Sequence, residues 1–228
     1  MITLHESEDL KIGLLNKPGK HVCICFTGVG HALGGIDVQK EEFKNIEKIG
    51  NIIYIVDKKR SWGNNLDING IVDFLTPYTR GREVYTIGNS MGGFLGILFS
   101  KHLKTKCSIS FAPQYSICKS VVPNETRWKN YISEISKIEH VSLENSFSQS
   151  TSYFSFFGDD TVERQHWENF PIASNMYSFI IKNQSHDLAK SFKERGILYK
   201  IIEQCFLFKN IETCLKEGNF RYSLLEID

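Results

Sequence analysis

Gly88-Asn89-Ser90-Met91-Gly92 sets a serine between glycines two positions away on either side, the G-x-S-x-G spacing. The run before it, Glu83–Ile87 (EVYTI), reads as a strand, and Met91 to about Leu103 reads as a helix. A serine at such a junction stands on a tight, strained turn, so its neighbours two positions away must lack bulk. The helix N-terminus beneath it favours negative charge as it develops. That arrangement suits nucleophilic attack by a hydroxyl on an acyl carbonyl. The G-x-G-x-x-G fingerprint is not matched, which weighs against a dinucleotide cradle.

Other elements must position this serine, and the chain repeats one pattern. Val22–Phe26 (VCICF) is a continuous apolar run, as expected of a strand covered on both faces. Val38–Ile49 has helical spacing, through Phe43, Ile46 and Ile49. Asn51–Val56 is a second buried strand, and Ile68–Tyr78 a helix with Ile68, Ile71, Val72 and Leu75 on one stripe. After the Glu83–Ile87 strand and its helix come strands at Lys106–Phe111, Ser152–Phe157 and Met176–Ile181. Leu188–Phe192 and Ile197–Phe208 read as closing helices. Strands alternating with helices imply an α/β fold: a mainly parallel sheet of about six core strands with helices on both faces.

Sites in such sheets form beyond the carboxyl ends of the strands. The first strand is followed by Thr27-Gly28-Val29-Gly30-His31, the second by Asp57 to Asn65, including Arg60 and Trp62. The third is followed by Ser90, the fourth by Ala112-Pro113-Gln114-Tyr115. Gly158-Asp159-Asp160-Thr161 follows the fifth and Asn183-Gln184-Ser185-His186-Asp187 the sixth. The chemically capable side chains therefore gather at one edge of the sheet.

Ser90 on its strand–turn–helix, with aspartates after a later strand and His186 after the last, resembles the α/β-hydrolase superfamily. Its triad runs serine, acid, histidine along the chain. The resemblance covers Val22 to about Phe208 and implies the α/β-hydrolase fold. It makes Ser90 the nucleophile and His186 the base. Asp160, followed by Thr161 and Val162, fits the family's acid position better than Asp159, which reads as a solvated or turn-capping side chain. The oxyanion donors implied are the N–H groups of Met91 and Val29, although Thr27-Gly28 stands where the family often has His-Gly. In the implied mechanism His186, oriented by Asp160, takes the Ser90 proton. The acyl-enzyme so formed is resolved by water or another hydroxyl.

The segment Pro113–Ser150 is long for a connection and reads as a small lid or insertion within one domain spanning 1–228. His31, Arg60, Trp62, Gln114, Arg127 and Trp128 are the candidate substrate contacts. Two arginines and two tryptophans favour a polar acyl substrate, a small molecule or a glycan, over a greasy lipid. The leading expectation is a serine hydrolase of the carboxylesterase type. An acyltransferase acting on a glycan hydroxyl would use the same triad. A non-catalytic binding member of the fold is the third reading, and a complete Ser90–Asp160–His186 set counts against it.

Composition narrows the field further. Twenty-seven basic against 26 acidic residues give a net charge of +1, which argues against a protein held to nucleic acid by phosphate contacts. There is no H-E-x-x-H and no C-x-x-C, so neither a metal nor another cofactor is expected. The six cysteines read as buried free thiols. The apolar runs are too short to span a bilayer, and residues 1–11 lack the apolar stretch of a secretion signal, giving a cytoplasmic expectation.

Overall fold

The computed structural model describes residues 1–16, 19–30 and 39–226, with the backbone alone at 47–49. The six apolar runs form the parallel centre of one sheet. Two further strands precede them, so they are numbered β3 (His21–Phe26), β4 (Asn51–Asp57), β5 (Glu83–Asn89), β6 (Cys107–Phe111), β7 (Ser152–Gly158) and β8 (Met176–Ile181). Three antiparallel edge strands join them: β1 (Ile2–Glu6), β2 (Leu10–Leu15) and β9 (Tyr222–Leu224). The described residues thus give nine strands, not about six, in the order β1-β2-β4-β3-β5-β6-β7-β8-β9. β1 and β9 escape the buried-run criterion because they are largely exposed, and β9 is only three residues long.

Register brings the carboxyl ends level. Phe26 pairs with Ile55 on one side and with Gly88 on the other; Asn89 lies opposite Phe111 and Gly158 opposite Ile181. Successive side chains point to opposite faces, and both faces are covered. Ile24, Phe26, Ile53 and Ile55 pack with residues of α1 (Ile68–Thr79) and α2 (Met91–Leu103). Cys23, Cys25, Ile52 and Tyr54 share the other core with α5 (Leu188–Glu194), α6 (Leu198–Leu207) and α7 (Ile211–Glu217). Five of the six cysteines are buried in this way.

The helix expected over Val38–Ile49 is a 3-10 helix at Lys44–Ile49 only. Phe43 stands before it with φ 58°, a left-handed conformation that no helix continues through, and residue 38 lies outside the described residues. The segment between β6 and β7 holds the short helix α3 (Lys129–Ser133) and is tied to the loop after β4. There Asn64 Oδ1 accepts the N–H groups of Glu139 and His140 at 2.7 and 2.9 Å. Between β7 and β8 lies α4 (Thr161–Trp167). No helix among the described residues is long and apolar enough to cross a membrane.

Candidate active site

Ser90 occupies the turn between β5 and α2 with φ 56° and ψ −121°. A side chain rarely adopts such a backbone, and the surrounding structure fixes it here. Ser90 N–H donates to Phe111 O at 2.9 Å, and Phe94 N–H donates to Ser90 O at 3.0 Å. The flanking glycines are steric necessities: a Cβ on Gly88 would lie 2.0 Å from Gly92 O, and one on Gly92 would lie 2.3 Å from Phe26 O.

His186 comes from the loop after β8. Asp159 holds that loop, its Oδ1 accepting Asn183 N–H at 2.8 Å while its own N–H donates to Gln184 O at 3.1 Å. Turn-capping was one of the readings of this aspartate. His186 Nε2 lies 2.7 Å from Ser90 Oγ, and its Nδ1 lies 2.8 Å from Glu163 Oε1.

The carboxylate facing the imidazole is therefore Glu163, and the assignment of Asp160 is corrected. Asp160 is the N-cap of α4, and its Oδ1 accepts the N–H groups of Val162 and Glu163 at 2.8 and 2.9 Å. His186 Nδ1 makes its hydrogen bond to Glu163 instead. Glu163, in the first turn of α4, is fully buried. Burial pushes its carboxyl up, but the hydrogen bond from His186 and the charge of Arg127 outweigh it and hold the group below its ordinary value. Sequence carried one signal for Glu163: Asp160-Thr161-Val162-Glu163 has the spacing of a helix cap followed three residues later by a glutamate.

Ser90 and His186 open into a cavity of about 790 Å³ whose wall includes Gly28, Val29 and Gly30. Met91 begins α2, where a backbone N–H has no intrahelical acceptor. The glycine loop is held from behind. Gln39 Nε2 donates to Gly28 O at 3.1 Å, and Arg60 Nε donates to Val29 O at 2.6 Å. Glu42, half-buried on the same wall, is pushed up to about 8 by burial, against a hydrogen bond from the Gly28 backbone.

The six candidate substrate contacts divide sharply. Trp128 lines the cavity, with its ring 6.3 Å from that of His186. His31 lies outside the described residues. Arg60 is a correction: it props Val29, and its guanidinium sits 4.8 Å over the Tyr131 ring. Trp62 and Gln114 are corrections also. Both are fully buried and joined to each other, Trp62 Nε1 donating to Gln114 Oε1 at 2.9 Å. Arg127 is the fourth; Glu125 and Glu163 engage it rather than a ligand. Missed by sequence reading were Lys40, Lys44, Lys190 and Lys193, which line the cavity, with Lys44 paired to Glu41 at 3.3 Å. Among the described residues no group of three or more His, Cys, Asp or Glu could hold a metal ion.

No family model matches the sequence, and no curated protein matches it. Solved structures do. A capsule O-acetyltransferase of Neisseria meningitidis serogroup A aligns with a TM-score of 0.60 at 14% identity, over 87% of this chain and 93% of that one. Est1E from Butyrivibrio proteoclasticus aligns at 0.56 and 15% identity, over 89% and 98%. A carboxylesterase structure from the thaumarchaeon Nitrososphaera gargenis aligns at 0.53 and 13% identity, over 91% and 100%. At these identities the likeness is one of fold alone.

Proposed function

We propose that the protein is a serine hydrolase that cleaves an acyl ester through an acyl-enzyme, with Ser90 as nucleophile, His186 as base and Glu163 as its acid partner. One observation carries this reading: the unbroken line from Ser90 Oγ to His186 Nε2 at 2.7 Å and from His186 Nδ1 to Glu163 Oε1 at 2.8 Å. Nucleophile, base and orienting group within hydrogen-bond reach are the geometry that activates a hydroxyl. His186 takes the Ser90 proton as Oγ attacks the carbonyl carbon. Glu163 stabilises the imidazolium, and the N–H groups of Met91 and Val29 receive the oxyanion. His186 then returns the proton to the leaving alkoxide, and water repeats the cycle on the acyl-enzyme.

The substrate of this reading is a polar acyl ester. The exposed lysines Lys40, Lys190 and Lys193 on the cavity wall support it; the arginines are engaged elsewhere. A second reading, acyl transfer to a glycan hydroxyl, draws on the fold likeness to the capsule O-acetyltransferase. The two differ only in whether water or a sugar hydroxyl attacks the acyl-enzyme, and product analysis with a sugar acceptor present separates them. Labelling by a fluorophosphonate tests the shared step. The wild-type protein should carry the adduct on Ser90 and Ser90→Ala should carry none; an adduct at another residue, or no adduct, overturns both readings.

A further inference from the structure

Beside the Ser90–His186–Glu163 line lies a second set of buried charges. Arg127, 23% exposed, stands between the carboxylates of Glu125 and Glu163, at 1% and 0%. Its Nε donates to both Glu125 oxygens at 3.0 and 3.1 Å, and its Nη2 donates to Oε2 at 2.5 Å. Its Nη1 donates to Glu163 Oε1 at 2.7 Å, the same oxygen that faces His186 Nδ1. Glu163 Oε2 meets no donor among the described residues. Among the described residues, the one fixed positive charge on this buried carboxylate is Arg127.

Glu125 is itself anchored from behind. His166 Nε2 lies 3.1 Å from its Oε2, and Gln114 Nε2 donates to the same oxygen at 3.3 Å. Tyr115 N–H donates to His166 Nδ1 at 3.1 Å, so the ring proton sits on Nε2 and is given to Glu125. Trp62 Nε1 fixes Gln114 from its other end. Such a chain leaves the Arg127 fork one orientation, and a fork rather than a point charge is what two carboxylates on either side require.

We infer that Arg127, clamped by Glu125, is a positioning residue of the Ser90 site: it holds the buried Glu163 carboxylate aimed at His186, and its charge sets where the acidic limb of Ser90 reactivity falls. This rests on the proposed roles of Ser90 and His186. The sign follows from the charges. Removing a positive charge beside the Glu163–His186 pair makes the pair hold its proton more tightly, whichever member carries it. Removing the negative charge of Glu125 does the reverse. Other charged groups line the cavity into which His186 opens: Asp187, Lys190, Lys193 and Glu194 of the α5 region, and Lys40, Glu41, Glu42 and Lys44 across it; Asp160 caps α4. None of these is altered by the two substitutions, so the difference from wild type reports Arg127 and Glu125.

The experiment follows the rate of fluorophosphonate labelling at Ser90 against pH. Arg127→Gln should move the acidic limb to higher pH and Glu125→Gln should move it to lower pH, each by about one unit or more. Arg127→Lys should leave the limb in place while lowering the rate, since the charge remains and the fork is lost. The limb's position is independent of how much protein is folded; if Arg127→Gln does not fold, the direction of the Glu125→Gln shift decides. Limbs unmoved, or moved the same way by both, would overturn the inference and leave Ser90's role standing. A wild-type protein unlabelled at Ser90 would instead remove the functional reading beneath it.

Discussion

Asp160 and Glu163 stand one helical turn apart, and their separate tasks follow from where α4 begins. A side chain at the N-cap must turn back to meet the free N–H groups of the first turn, as Asp160 does at 2.8 and 2.9 Å. A side chain three residues on is released from that duty, and Glu163 reaches His186. Asparagine caps a helix as well as aspartate does. Asp160→Asn should therefore keep kcat/KM within a few-fold of wild type. Glu163→Gln should lower it about 10³–10⁴-fold, the loss expected when a triad acid becomes an amide. Both variants need circular dichroism to establish folding. A large loss in Asp160→Asn beside a small one in Glu163→Gln would return the acid's role to Asp160. Ser90 was legible in the sequence because its constraint is steric and local: two glycines at fixed offsets on a strand–helix junction. Glu163 was legible only through the cap spacing Asp160-Thr161-Val162-Glu163, because no periodicity marks the seven-residue helix it belongs to. Arg60, Trp62, Gln114 and Arg127 have the residue types of a binding site; burial of Trp62 and Gln114, and the partners that engage Arg60 and Arg127, neither of which sequence displays, make them framework.

The elements were read unevenly for a related reason. Strands β3 to β8 are largely buried, so each is a mainly apolar or small-residue run that sequence can mark as a strand. Strands β1 and β9 lie at the sheet edges with most side chains exposed and carry little pattern. α4 is seven residues long and holds two buried polar side chains, Glu163 and His166, so it shows no apolar stripe. What defines it is its cap. Asp160→Ala removes that cap and should destabilise the protein by about 0.5–2 kcal/mol. Urea unfolding gives the stability change, and labelling of Ser90 gives the site change. Labelling should slow as well, because Glu163 sits in the turn the cap holds. A variant as stable as wild type would mean that packing against β7, and not Asp160, fixes the start of α4.

Across the whole molecule the buried and half-buried carboxyls pull stability in opposite directions with pH. Glu125 and Glu163 lie below their ordinary value, although burial pushes them up, because Arg127 and a histidine hold them ionised. Their contribution is present at neutral pH and lost on acidification. Glu42 is the opposite case. Burial raises it from 4.5 to about 8, so the folded protein keeps a proton there that the unfolded chain releases. A raised folded value means that the stabilisation is complete below about 4.5 and is lost as pH rises through about 8. Asp57 adds to the same side: burial raises it, against N–H donors from Ser61 and Gly63. The folded state is thus squeezed from acid by one set and from alkali by the other. Glu42→Gln keeps the shape and an acceptor for the Gly28 N–H but cannot ionise. Its melting temperature, relative to wild type, should climb steadily from pH 5 to pH 8 and level off above. Thermal scans at half-unit steps measure that difference directly. A difference constant with pH would show that Glu42 is ionised in the fold throughout, and the alkaline loss of stability would then belong to Asp57.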